Sequence, residues 1–73
     1  MARIDIRTEV AGIVWKIVAG AGDTVSEDDT VIILESMKME IPVSAPASGS
    51  VLEILVAEGE TVAEGAIVAR MRT

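Results

Sequence analysis

The 73-residue chain contains no cysteine and no histidine. Without cysteine, neither a disulfide nor a thiolate metal site can form. Without histidine, the chain lacks the commonest general base and metal ligand, which excludes Ser-His-Asp and Cys-His chemistry. We therefore expect no catalytic residue and no metal site, zinc included, and an enzyme is only a remote alternative.

Aromatic residues are nearly absent as well, since Trp15 is the only one. Twelve acidic residues against six basic ones give a formal net charge of −6. Such a chain repels phosphate and cannot stack bases, so we expect no binding to nucleic acid. No apolar run reaches the roughly 18 residues of a transmembrane helix, and the charged start of the chain is unlike a signal peptide. We expect a cytoplasmic protein without a membrane partner, monomeric when isolated.

The residues that dominate the chain are Val, Ile and Ala, in short runs separated by glycine. β-Branched residues favour strands, and glycines at the ends of runs predict tight turns. No window keeps a helical period over three turns. In the first half, alternation predicts strands over residues 3–10, 13–19, 24–25 and 31–36. It places Trp15 and Ile17 on one face of the second strand and Lys16 on the other.

The second half of the chain repeats the first at an offset of 37 residues, without a gap. Residues 12–36 and 49–73 share eight identities, where average residue usage would give about two. The identical pairs are Gly12/Gly49, Val14/Val51, Ile17/Ile54, Gly22/Gly59, Thr24/Thr61, Val25/Val62, Glu27/Glu64 and Val31/Val68. The repeat predicts one domain over residues 1–73, a flattened barrel or sandwich of about eight strands with pseudo-twofold symmetry. The chain midpoint then lies in a hairpin between the halves, and the termini approach each other at the opposite end.

Three local features complete this prediction. Val14 and Ile17 are an odd number of residues apart, so regular alternation would place them on opposite faces. Either both faces of the strand are buried near Gly12, or a β-bulge resets the register there and at the equivalent place in the second half; we favour the bulge. Pro42 lacks a ladder donor, which predicts an edge strand. The acidic clusters are expected to form solvated turns, with a docking surface for a basic partner as the alternative; they are Glu27-Asp28-Asp29 and Glu58, Glu60 and Glu64.

The midpoint itself is the unusual stretch Glu35-Ser36-Met37-Lys38-Met39-Glu40. A two-residue hairpin normally prefers Asn-Gly or Asp-Gly, and exposed methionines are unfavourable in water. A local rule broken without evident compensation indicates function. An exposed amine on a rigid hairpin, with Lys16 as the only other lysine, suits covalent modification by an enzyme. The alternative is an ordinary surface lysine with both methionines folded back onto the sheet.

These residues resemble the biotinyl (biotin carboxyl carrier) domain family, over roughly residues 9–71. The resemblance is carried by Met37-Lys38-Met39 after Glu35, by the Gly22–Val25 turn with its echo at Gly59–Val62, and by the Ala45–Gly49 bend. In lipoyl domains, the sister family, Asp and Ala typically flank the lysine. The size is similar to that of small free-standing biotin/lipoyl attachment proteins.

The resemblance implies an all-β fold, a flattened β-barrel of two four-stranded antiparallel sheets. It implies biotin as the cofactor, joined covalently to Lys38 by biotin protein ligase through an adenylate. Biotin carboxylase then places CO2 on the biotin, and a carboxyltransferase passes it to an acceptor such as an acyl-CoA or pyruvate. Met37 and Met39 would serve partner fit and the choice of biotin over lipoate, and Glu35 would serve ligase recognition.

The sequence also departs from the family. Asp28 replaces a usual turn glycine that the second half keeps as Gly65, Val10-Ala11 stands where many members have proline, and no thumb insertion is present. A lipoyl carrier and an unmodified binding module of the same fold stay as alternative functions. We expect a stand-alone subunit, with an excised domain as the alternative.

Overall fold

The computed structural model describes residues 2–73, and the regular structure in them is entirely β. The eight strands are β1 Arg3–Arg7, β2 Gly12–Ile17, β3 Thr24–Val25, β4 Thr30–Ser36, β5 Met39–Ser44, β6 Gly49–Ile54, β7 Thr61–Val62 and β8 Ile67–Arg72. No helix in this described part of the chain is long and apolar enough to cross a membrane.

Two four-stranded sheets form the domain, in the orders β1-β8-β6-β3 and β5-β4-β2-β7. All pairings are antiparallel. The 37-residue offset maps β2, β3 and β4 onto β6, β7 and β8, so that each sheet is the counterpart of the other. The predicted all-β, two-sheet architecture with pseudo-twofold symmetry is confirmed.

Each sheet combines strands from both halves of the chain. β1 closes the sheet of β8 and β6, and β5 closes the sheet of β4 and β2. The repeat therefore extends to β1 and β5, although only Ile4/Ile41 is identical at this offset over residues 2–11. The chain ends meet as predicted, because Arg3 pairs with Arg72 and the Thr73 N–H donates to the Ala2 carbonyl at 3.0 Å.

The predicted bulges lie at equivalent places in the two halves. The register shifts between Val14 and Lys16 where β2 pairs with β4, and between Val51 and Glu53 where β6 pairs with β8. One detail of the prediction was wrong. The bulge turns Trp15 outward, and its side chain is 49% exposed while Val14 is buried, so Trp15 does not share a face with the half-buried Ile17.

The core between the sheets consists of short and branched side chains, as the composition requires. Its members are Ile6, Val14, Ala19, Val25, Val31, Ile32, Leu34, Val43, Ala45, Val51, Val62, Val68, Ala69 and Met71. β1 ends at Arg7, earlier than predicted, because buried Thr8 turns the chain by donating its hydroxyl to the Val10 carbonyl at 2.6 Å. Pro42 lies in β5, which is an edge strand as predicted.

The acidic residues in the loops are exposed, but several of them also cap turns. Asp23 accepts the Gly20 N–H at 2.8 Å, Asp29 accepts the Ser26 N–H at 2.9 Å, and Glu60 accepts the Ala57 N–H at 3.1 Å. Such side-chain-to-backbone bonds stabilise turns. These loop acids therefore order the turns in addition to solvating them.

Asp28 adopts the left-handed conformation that the repeat requires of it. Its φ is +73°, and φ of its counterpart Gly65 is +83°. Both backbone N–H groups make the equivalent bond, to Ala45 and Thr8 carbonyls at 2.9 and 2.8 Å. Asp28 therefore forms the same turn in the first half that Gly65 forms in the second.

Candidate functional site

The central stretch forms the hairpin between β4 and β5. The last paired residues are Ser36 and Met39, so Met37 and Lys38 are the two turn residues. Their φ angles are +51° and +66°. A two-residue hairpin turn with positive φ at both positions matches the right-handed twist of the strands, which is why Asn and Gly normally occupy it.

The turn residues are consequently strained. The left-handed conformation costs roughly 1–2 kcal/mol for a residue with an ordinary side chain, and neither Met37 nor Lys38 is a residue that adopts it readily. Strain of this kind persists where the surrounding structure imposes it, and it concentrates at functional sites. Here the six paired positions of β4 and β5 impose it, from Thr30/Ser44 to Ser36/Met39.

Replacing Met37 by asparagine should therefore stabilise the domain. Asparagine tolerates positive φ, so we expect the free energy of unfolding to rise by about 1 kcal/mol, which raises the melting temperature by roughly 4–8 °C in a domain of this size. Thermal unfolding measures the effect. Met39→Asn is the matched control, because Met39 begins β5 and has no positive φ. An equal gain in both variants would show that turn strain is not the cause.

Both methionines beside Lys38 are exposed, Met37 to 92% and Met39 to 64%. They do not fold back onto the sheet, so the part of the alternative that places both methionines against the sheet is wrong. Lys38 is exposed as well. Among residues 2–73, the ion pairs are made by Arg7 and Arg70, so no carboxylate holds the Lys38 amine. This amine is accessible to a modifying enzyme.

The base of the hairpin is held tightly against β2. A Cβ on Gly12 would lie 2.8 Å from the Glu35 carbonyl oxygen and 3.4 Å from the Ser36 Cβ. Only glycine lets the two strands approach so closely. Leu34, one residue further into β4, is fully buried. The exposed turn is therefore held in place by the close packing of β2 against β4.

Two carboxylates flank the turn on the outer surface of the sheet. Glu35 and Glu40 are directly opposite each other in the β4–β5 ladder, and both are exposed. Like charges directly opposite are unfavourable for sheet stability. Folding alone therefore does not account for this pair.

The part of the chain that the structure describes contains no group of three or more Cys, Asp or Glu side chains placed to hold a metal. A groove of about 310 Å³ lies where the edge strands β1 and β5 approach, lined by residues 7–10 and 41–44. Its lining does not include residues 35–40. The hairpin turn is therefore exposed and lies outside this groove.

The structure is a two-sheet β domain of two matching halves, with the exposed Lys38 on the hairpin between them. The chain belongs to the family described as "Biotin-requiring enzyme", the biotin/lipoyl attachment domains, whose model matches residues 4–71. The family resemblance found in the sequence is thereby confirmed.

Two bacterial relatives match most of the chain. It is 38% identical over 65 residues to a "Biotinylated protein TB7.3 homolog" of Mycobacterium leprae, covering 89% of this chain and 92% of the relative. It is 47% identical over 60 residues to a "Biotin/lipoyl attachment protein" of Bacillus subtilis, covering 82% of each.

Solved structures show the same fold in larger enzymes and in lipoyl domains. The urea carboxylase of Kluyveromyces lactis superimposes with a TM-score of 0.93 and 40% identity over 99% of this chain, which spans only 6% of that protein. The lipoyl domain of the Azotobacter vinelandii 2-oxoglutarate dehydrogenase complex superimposes with a TM-score of 0.77 at 28% identity, over 96% of both chains. The chain is a biotin carboxyl carrier-like domain, homologous to domains of biotin-dependent carboxylases.

The structure brings the residues singled out from the sequence together at this hairpin. Lys38 and Met37 form the turn, Met39 begins β5, and Glu35 lies one residue before the end of β4. Their roles in attachment stay predictions. The sequence does not by itself connect Ile13 and Trp15 with the hairpin, although both are exposed next to it. The 37-residue repeat contains one signal, because the residues at the equivalent positions, Ser50 and Leu52, differ from them.

Proposed function

We propose that this chain is a biotin carboxyl carrier and that biotin protein ligase joins biotin to Lys38. The observation that supports it is an exposed lysine, free of ion pairs with residues 2–73, on a strained turn between two exposed methionines. The strands beneath the turn fix its position, so a ligase would recognise a constant shape. The site fits an amide-linked group because no carboxylate among residues 2–73 forms an ion pair with the Lys38 amine.

In the attachment step, the Lys38 ammonium loses a proton and its Nζ attacks the acyl carbon of biotinyl adenylate, which the ligase makes from biotin and ATP. The amide C–N bond forms while the acyl–phosphate bond to AMP breaks, and the nitrogen gives up a second proton. The lysine loses its positive charge, so the formal net charge changes from −6 to −7. The domain's part is to present the amine, and the chain has no histidine, the commonest general base.

When bound, biotin carries a carboxyl group between a biotin carboxylase site and a carboxyltransferase site. The chain's part in that transfer is tethering, because a group on a lysine arm reaches both sites at high effective concentration without dissociating. Met37 and Met39 would pack against each partner in turn, since unbranched thioether side chains adapt to different surfaces. The chemistry belongs to the partner enzymes.

The test is to incubate the purified chain with biotin protein ligase, ATP and biotin, and in parallel with a lipoate ligase, ATP and lipoate. We expect the intact mass to rise by one biotinyl group, with streptavidin binding, and lipoate to be attached poorly or not at all. The lipoyl alternative is supported by the 0.77 TM-score to a lipoyl domain. Efficient lipoylation without biotinylation would favour that alternative, and no modification in either reaction would favour an unmodified binding module.

A further inference from the structure

The outer surface of the β5-β4-β2-β7 sheet carries an apolar patch next to the attachment hairpin. Paired residues share a face of a sheet, so the register places Glu40, Glu35, Ile13 and Thr61 in one outward row. The next outward row is Pro42, Ile33 and Lys16, with Trp15 turned outward at the bulge. We call Ile13, Trp15, Ile33 and Pro42 the Trp15 face; Glu35 and Glu40 border it on the hairpin side.

The other sheet provides an internal comparison, because it has the same strand order and the same bulge. At the counterparts of Lys16, Ile33 and Pro42 it carries Glu53, Arg70 and Asp5. Arg70 bonds Glu53 at 2.9 Å and Asp5 at 3.3 Å, and these bonds, Glu53 first, raise the pKa of Arg70. An ordinary charged outer surface therefore satisfies this architecture. Folding therefore does not require an apolar outer residue at Ile33 or Pro42, nor at Ile13, whose counterpart is Ser50; the counterpart of Trp15 is Leu52, which is apolar and half-buried.

The exposed area of this face is unfavourable in water. Trp15 is 49% exposed and Ile13 is 46% exposed, and apolar surface left in water forgoes the gain of burial. Tryptophan, with its large rigid side chain, is among the residues that contribute most to protein–protein binding. The chain's single aromatic residue thus lies where a partner could bury it.

The reach of the unmodified lysine indicates which partner uses this face. A bare lysine extends by only four methylenes, so the ligase active site must come close to the hairpin and to the surface beside it. Ile13 pairs directly with Glu35, three residues from Lys38. After attachment, the longer arm allows the carboxylase enzymes to work at greater distance. The ligase has the stronger geometric need for this contact.

We propose that the Trp15 face is the docking surface for the ligase that acylates Lys38. Its partner surface would be an apolar depression that receives Trp15 and Ile13, bordered by arginine or lysine side chains opposite Glu35 and Glu40, since complementary charge guides encounter and fixes orientation. This inference rests on the proposed function and adds the recognition surface to it.

The kinetic test compares Trp15→Ala with Leu52→Ala, its counterpart at the bulge of the other sheet. Loss of a binding hot spot should lower kcat/KM for biotinylation by about 30-fold. The loss should appear in KM, with kcat at saturating carrier little changed, because the lysine and its turn are intact. Leu52→Ala should keep the wild-type kcat/KM. Equal values for wild type and Trp15→Ala, or equal losses in both variants, would overturn the inference.

A second measurement needs no mutation. Because Trp15 is the only tryptophan, 5-fluorotryptophan labelling of the carrier gives a single ¹⁹F resonance from this face. Adding unlabelled ligase should shift or broaden it saturably. A resonance unchanged while the ligase biotinylates the same sample would overturn the docking surface and leave the carrier function standing. Failure of wild type to become biotinylated would overturn the carrier function and this inference together.

Discussion

Replacing Lys38 by arginine should abolish biotinylation completely. Arginine keeps the positive charge and similar length, but its guanidinium remains protonated at any accessible pH and offers no nucleophilic amine. The exposed turn tolerates the change, so the free energy of unfolding should differ by less than about 0.5 kcal/mol. Intact mass and streptavidin blotting after exhaustive incubation with ligase measure the result.

Lys16→Arg is the matched control, because Lys16 is the chain's only other lysine and is also exposed, on β2. Its amine lies in a paired strand of the sheet, so a ligase would have no turn to bind there. We expect this variant to be biotinylated to the same final extent as wild type. A biotin label that persists in Lys38→Arg and disappears in Lys16→Arg would move the attachment site to Lys16.

Most of the fold could be predicted from one pattern, the 37-residue repeat. Identical glycines and valines recur because both halves need the same turns and the same inward side chains, and this predicted the symmetry, the strand number and the central hairpin. The repeat does not show that each sheet combines strands from both halves of the chain. β1 and β5 are equivalent by position in their sheets rather than by identity, since an edge strand contributes fewer buried residues to the common core.

Local geometry limited the rest of the prediction. The sequence predicts a bulge near Gly12, but its position between Val14 and Lys16 decides which side chains face outward. A shift of one residue reverses the face of every side chain, so alternation groups Trp15 with Ile17 although Trp15 lies on the surface. Alternation also predicts a longer β1, because it does not reveal that the buried Thr8 hydroxyl ends the strand by bonding the Val10 carbonyl.

A local sequence signal points to the candidate site, whereas no such signal points to its surroundings. Lys38 stood out because its turn broke a rule of local preference, and the structure shows the strain that such a violation implies. The acceptors in the acidic turns and the Trp15 face break no local rule. The Trp15 face becomes visible only when the register brings residues of different strands together, whereas each acceptor bonds an N–H three residues before it in its own turn.

Gly49 should tolerate substitution least among the glycines of this chain. β6 begins at Gly49 and approaches the end of β8 so closely that a Cβ there would overlap the Arg72 carbonyl oxygen, with the Arg72 carbonyl carbon at 3.0 Å and the Thr73 Cα at 3.1 Å. All three atoms belong to the backbone, so no side chain can rotate away. Relief requires separation of β6 from β8, the two central strands of their sheet.

Gly49→Ala should therefore lower the free energy of unfolding by about 3 kcal/mol or more, the upper range for forced overpacking. A 73-residue domain has only about 4–11 kcal/mol in total, so the melting temperature should fall by roughly 12–24 °C. Thermal and urea unfolding measure the change.

Gly20→Ala is the control for Gly49→Ala, because a Cβ at Gly20 meets nothing within 4 Å and its φ is not positive. We expect Gly20→Ala to leave stability within about 1 kcal/mol of wild type, on the stabilising side because alanine restricts the unfolded chain. Gly12→Ala should lie between the two, since its Cβ would be 2.8 Å from the Glu35 carbonyl oxygen. The order Gly49, Gly12, Gly20 follows from the distances alone, and a different order would mean that strand separation at these contacts does not govern stability.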